Sequence, residues 1–187
     1  MRIRPDRGGG CIVALVLGAA SMSASGVERE RRYELHEHGY PRMTVPQGWL
    51  DEVRQRGPQA PPTIIFRPLE GDAFVVLVTP IWSPGPNLPL PGRGALRERV
   101  ERGLERVRPR AVEKEIWIWE FAGTSGAGLY FSATDHAPKP GEFTYLPQGM
   151  LPLDEPVVTF TTLSSAGKNA LPKHTLGMLK TAVRMSK

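Results

Sequence analysis

The sequence predicts an α+β domain in which a mainly antiparallel β-sheet is flanked by helices. Three observations carry that reading. Short β-branched runs alternate with turn residues, and 20 Gly and 19 Pro occur among 187 residues, against a usual combined share of roughly 12%. Two stretches, 96–107 and 170–187, repeat apolar residues at helical spacing. The run from Ile116 to Phe121 is apolar on both alternating faces, so a strand there needs cover on both sides. A helix/sheet/helix sandwich satisfies all three.

Taken in order, Met43 and Val45 share one face of a short strand opening at Tyr40, which a Gln47-Gly48 turn closes before Trp49 begins a second. Thr63 to Pro68 and Ala73 to Trp82 are β-branched runs joined through Gly71-Asp72, a hairpin signal. From Ser83 to Gly94, Pro84, Pro86, Pro89 and Pro91 exclude a sheet or helix interior and mark a surface connection. Leu96, Val100, Leu104 and Val107 then form one helical stripe, opposite a face with expected Arg97/Glu101 and Glu98/Arg102 pairs, and Pro109 ends it. Four further strands are expected: Val112 to Gly123, Gly128 to His136, Glu142 to Leu151 and Glu155 to Ser165. A closing helix takes Pro172 in its first turn and Leu176, Leu179 and Val183 as its stripe, with Lys180, Arg184 and Lys187 toward its negative end.

Residues 1–25 read as an address. Arg2, Arg4 and Arg7 precede the apolar run Cys11 to Ala20, and Ser21, Ser23, Ala24 and Ser25 follow, the three regions of a cleaved secretory signal. Ten apolar residues rise only about 15 Å as a helix, roughly half a bilayer core, so no membrane span is expected in the mature chain. The expected organisation is a signal peptide over 1–25, a charged lead over 26–39 and one domain over 40–187, in a periplasmic or secreted protein. The single cysteine, Cys11, falls in the signal, which excludes an internal disulfide, a thiolate metal cage and CxxC redox chemistry. The formal net charge of +5 includes the signal's arginines, and export argues against nucleic-acid partners.

Several stretches together resemble the PsbP-like superfamily, which includes the extrinsic oxygen-evolving proteins of photosystem II and the DcrB-like proteins of the bacterial cell envelope. They are Met43-Thr44-Val45-Pro46-Gln47-Gly48-Trp49, the hairpin ending in LVTP, the ERVERGLERVR helix, the LYFSATD and VTFTTLSS strands and the LGMLKTAV segment, across Tyr33 to Met185. The proline-rich Ser83–Gly94 insert and the Glu142–Pro156 stretch depart from the compact pattern. The resemblance implies an α/β/α sandwich and a binding or assembly role, with no shared catalytic constellation to carry over.

The residues themselves offer little complete chemistry. Ser125 sits in Gly123-Thr124-Ser125-Gly126-Ala127, where a nucleophile elbow would need glycine two places later and a helix after it; a hairpin turn is the better reading. His36 and His38 could supply two metal ligands, with His136 or Asp135 as a third, but nothing in the spacing joins them. His174 falls at the start of the last helix, where a surface role is the default. No catalytic residue, metal site or cofactor is therefore assigned. The arginine-rich face from Arg97 to Arg110 could contact anionic lipid or envelope polymers; its interleaved glutamates favour a solvated face. Trp117, Trp119 and Phe121, with Tyr130 on a neighbouring strand, form the candidate ligand or partner patch. The expected function is an exported, non-catalytic envelope binding or assembly factor whose partner is an envelope protein. The alternative is a carrier of a small apolar ligand on that aromatic face.

Overall fold

Two β-meanders zipped together at one seam build the main sheet. The computed structural model describes residues 28–35, 38–57, 60–70, 74–82, 92–154, 156–165 and 173–186. The expected signal, His36 and residues 83–91 of the proline-rich connection lie outside them. Strands β3 (Trp49–Arg54), β4 (Thr63–Pro68) and β5 (Phe74–Ile81) form the first meander; β6 (Trp119–Gly123), β7 (Gly126–Thr134), β8 (Tyr145–Pro152) and β9 (Val157–Ser164) form the second. Their order is β3-β4-β5-β9-β8-β7-β6, antiparallel throughout. The seam is β5 against β9, in register from Phe74↔Ser164 to Ile81↔Val157. The α+β class, with the sheet dominant, is what the alternating runs predicted.

Helix α1 (Arg93–Val107) lies in the connection from β5 to the far edge strand β6, and it packs over β7 and β8. Its stripe Leu96, Val100 and Leu104 is buried against Leu129, Phe131, Met150 and Val157. A 3₁₀ turn, Arg108–Arg110, follows and contains Pro109. The other half of the same sheet face, on β3, β4 and β5, has no helix over it among the described residues. Its side chains are named by register: Leu50 opposite Arg67, Ile65 opposite Leu77, and Thr79 opposite Thr159.

The opposite face carries the larger core. Ile64, Phe66, Val76, Val78, Leu151, Val158 and Phe160 meet Met178 and Leu179 of α2 (Lys173–Lys180) and Met43 and Val45 of β2 (Tyr40–Pro46). Strand β2 is the centre of a small sheet, between β1 (Glu28–Arg32) and β10 (Val183–Met185). Part of the charged lead is thus a strand. Arg29, Arg31 and Tyr33, alternate residues in sequence, converge on Asp51 of the large sheet at 3.4, 3.0 and 3.1 Å. Asp51 thereby joins the two sheets.

Two expectations are corrected in length. The last helix stops at Lys180 rather than continuing to Lys187: the Thr181 hydroxyl donates to the Met178 carbonyl at 2.7 Å and accepts from the Thr44 N–H at 2.8 Å. That bond draws the chain against β2, where Val183 pairs with Arg42. The buried positions of this segment are Thr175, Met178, Leu179 and Ala182, while Val183 belongs to a strand. Strand β6 likewise covers only Trp119–Gly123 of the longer expected strand. Ala111 bridges Asp135 and the Val112 N–H donates to the Thr134 carbonyl, so the outer run is longer than the β7 stretch it faces and bulges until Trp119 pairs with Tyr130.

Glycine makes room at the edge of this core. A Cβ on Gly128 would lie 2.3 Å from the Phe121 ring, and one on Gly149 would lie 2.6 Å from the Phe160 ring and 2.2 Å from the Leu129 carbonyl oxygen. Phe121 therefore lies across Gly128, its register partner, and meets Phe160 edge-on at 6.0 Å. Gly128→Ala is expected to destabilise the fold by about 1–3 kcal/mol through overpacking, read as a lower denaturation midpoint with an unchanged denaturant slope; wild-type stability would contradict this packing.

Burial pushes the Tyr33 hydroxyl above its ordinary value near 10, with Asp51 adding to the shift, and burial raises Tyr145 as well. Above that ordinary value the unfolded chain ionises these tyrosines more readily than the folded one. Their contribution to stability is thus complete below about pH 10 and is lost as pH rises beyond it. In a spectrophotometric titration, both phenols are expected to ionise together with loss of the circular-dichroism signal. Ionisation near pH 10 with the fold intact would contradict their burial.

Candidate functional site

The free edge of the seven-stranded sheet at β6 gathers the exposed aromatic side chains. Approaching it, the Glu113 carboxylate accepts from the Thr134 N–H and hydroxyl at 2.9 and 2.6 Å, which pins the start of the bulge. Ile116 and Ile118 then pack beside the α1 cluster. Side chains of an extended segment alternate, so Trp117 is turned outward between its two anchors.

The four predicted patch residues differ in exposure. Trp117 and Trp119 are 66% and 55% exposed, whereas Phe121 is 6% exposed and belongs to the large core. Tyr130 is half-buried against that core, 6.1 Å from the Phe121 ring. Trp119 and Phe121 have the same parity on β6, but the core beneath α2 covers only Phe121. Trp119 is the register partner of Tyr130, so the exposed aromatic surface consists of the two tryptophans with Tyr130 at its inner margin and Phe121 beneath the core. The expectation that both faces of Ile116–Phe121 are covered holds at Ile116, Ile118 and Phe121 and fails at the two tryptophans. The flanking Val112, 59% exposed, adds apolar surface to the same edge segment; reading the strand as uniformly buried concealed it.

The other chemical candidates have structural partners. Thr124 and Ser125 form the β6–β7 turn and cap the end of α2: the Thr124 N–H and hydroxyl donate to the Lys180 carbonyl at 2.8 and 2.9 Å, and the Ser125 hydroxyl donates to the Ala182 carbonyl at 3.2 Å. Asp135 pairs with Arg110 and accepts from the Ala137 N–H, and the His136 Nδ1 lies 2.8 Å from the Arg110 carbonyl oxygen. These contacts join the end of the α1 segment to the end of β7. His38 stacks on Trp82 with ring centroids 4.4 Å apart. His174 is exposed on α2. Among the described residues no group of three or more His, Cys, Asp or Glu side chains is placed to hold a metal ion, and no helix is long and apolar enough to cross a membrane.

Fold and site together define a sheet-dominated α+β domain that presents two tryptophans at a sheet edge. Comparison with protein-family models, curated proteins and solved structures gives no match.

Proposed function

We propose that the protein is an exported, non-catalytic binding factor of the bacterial cell envelope, periplasmic or secreted, that docks an envelope protein through the Trp117–Trp119 edge. The observation that carries the reading is the exposure of both tryptophans on a segment held in place by Ile116, Ile118 and Glu113. Tryptophan supplies large apolar contact area at small conformational cost and is enriched among residues that dominate binding energy. A sheet edge adds backbone donors and acceptors that a partner strand can use. The signal-like pattern over 1–25 supports export, and the PsbP-like resemblance supports an accessory role in the envelope, with the α/β/α sandwich as the finer description of the fold.

Trp117→Ala combined with Trp119→Ala tests this reading. Because both side chains are exposed, the unfolding free energy is expected to stay within about 0.5 kcal/mol of wild type. A photo-reactive group introduced at Val112 is expected to cross-link one envelope protein in cells, and the double variant to lose that product. Binding of the isolated partner should weaken by more than about thirtyfold, the equivalent of one lost hot spot of roughly 2 kcal/mol. A folded double variant that keeps the cross-link and the affinity would overturn the reading.

A further inference from the structure

The half of the main sheet that α1 leaves uncovered holds three hollows in a row. One, about 360 Å³, lies beside α1 and is lined by Ile81, Val100, Met150 and Thr159 with three arginines of the helix. The next, about 570 Å³, shares Ile81 with it and runs over Ile65, Leu77 and Thr79. The last, about 230 Å³, shares Ile65 and reaches Leu50 and Arg67 at the β3 edge. Their floor is apolar and threonine-rich, with hydroxyls already engaged: the Thr63 and Thr79 hydroxyls lie 2.9 Å apart, and the Thr159 hydroxyl donates to the Thr79 carbonyl.

The banks are basic. At about 100° per residue, α1 has two polar flanks of different character. Arg97, Glu101, Glu105 and Arg108 lie on one, where Arg97 pairs with Glu101 and Arg108 with Glu105. Arg99, Arg102 and Arg106, spaced three and four apart, lie on the other and line the first hollow. None of these three makes an ion pair or hydrogen bond among the described residues, and the expected Glu98/Arg102 pair does not form. Across the floor stand Arg54, Arg56 and Arg67, with Glu52, which pairs with Arg54 at 2.7 Å, and Asp51, which is held by Arg29 and Arg31. Like charges three and four apart on a helix repel; an anion above them removes the penalty.

We propose that this groove binds a free long-chain carboxylate, its single alkyl chain laid over Ile81, Leu77 and Ile65 and its head held by Arg99, Arg102 and Arg106. The chemistry matches on both counts: guanidinium forks bind carboxylates in pairs of hydrogen bonds, and the two larger hollows, about 360 and 570 Å³, fall within the size range of small-molecule sites. The apolar residues form a floor between two banks, so a chain reaches them as a separate molecule rather than from a flat bilayer surface. The site runs from α1 above β7 and β8 to the β3 edge, on the sheet face from which Trp117 and Trp119 point away, and stands independently of the docking reading.

Displacement of a fluorescent fatty acid from the purified exported protein tests it, with alkyl carboxylates of increasing length below their micelle concentrations. Affinity is expected to rise about fourfold per added methylene until the floor is filled. Arg99→Gln, Arg102→Gln and Arg106→Gln together should weaken binding by about tenfold or more, while Arg97→Gln on the paired flank should leave it unchanged. Leu77→Gln, which keeps every arginine, should flatten the chain-length dependence. Equal affinity for dodecyl maltoside, unchanged affinity of the triple variant, or binding to anionic phosphatidylglycerol vesicles without binding to dodecanoate would each overturn the proposal.

Discussion

The pairing of β5 with β9 is the constraint on which the rest of the structure depends. It joins the first meander to the last strand of the second along the full length of β5, so the chain must leave β5, reach the far edge and return strand by strand. The connection that makes this journey contains α1, which therefore lies over the second meander. Coverage of that face follows from connectivity as much as from composition. An amphipathic helix with a narrow stripe of Leu96, Val100 and Leu104 covers one half of a seven-stranded sheet, and among the described residues no helix lies over β3, β4 and β5 on that face.

The opposite face is closed by parts from both ends of the chain. Strand β2 takes β1 on one side and β10 on the other, and three polar ties hold the assembly: Asp51 to Arg29, Arg31 and Tyr33; Thr181 to Thr44; and the Thr124-Ser125 turn to the carbonyls after α2. Each tie uses groups that would otherwise be left without partners at a helix end or a strand edge, so loss of one exposes or orphans the other. The outcome is one face closed by α2 and the small sheet, with Trp119 beyond the edge of that core, and an opposite face that α1 covers over the second meander and on which the arginine-banked hollows lie.

Much of the fold was legible in the sequence because its signals are local. Alternation set β4, β5, β7 and β9, the spacing of Leu96, Val100 and Leu104 set α1, and turn glycines set the hairpin at Thr124-Ser125. What escaped depends on long-range pairing. The 183–185 segment has residues that suit a helix, and only the free edge of β2 makes it a strand. The segment from Val112 to Ile118 alternates like a strand, and only the register of β7 shows that it must bulge. The patch was half legible for the same reason: alternation grouped Trp119 with Phe121, while the end of the core separates them. The unpaired arginine flank was only partly within reach of the sequence: a helical projection puts Arg99, Arg102 and Arg106 together, but it also leaves Glu98 and Glu105 within reach of Arg102, and only the structure shows Glu105 taken by Arg108.

The half-open face is what the β5–β9 pairing leaves and what the groove proposal requires, and site-directed labelling tests it most directly. In a Cys11→Ser background, Leu77→Cys and Val157→Cys place thiols on the same face of the sheet, one in the uncovered half and one beneath α1. The account expects Leu77→Cys to react with a small maleimide in the native protein, while Val157→Cys reacts only under conditions that unfold it. Equal protection of the two thiols would contradict it.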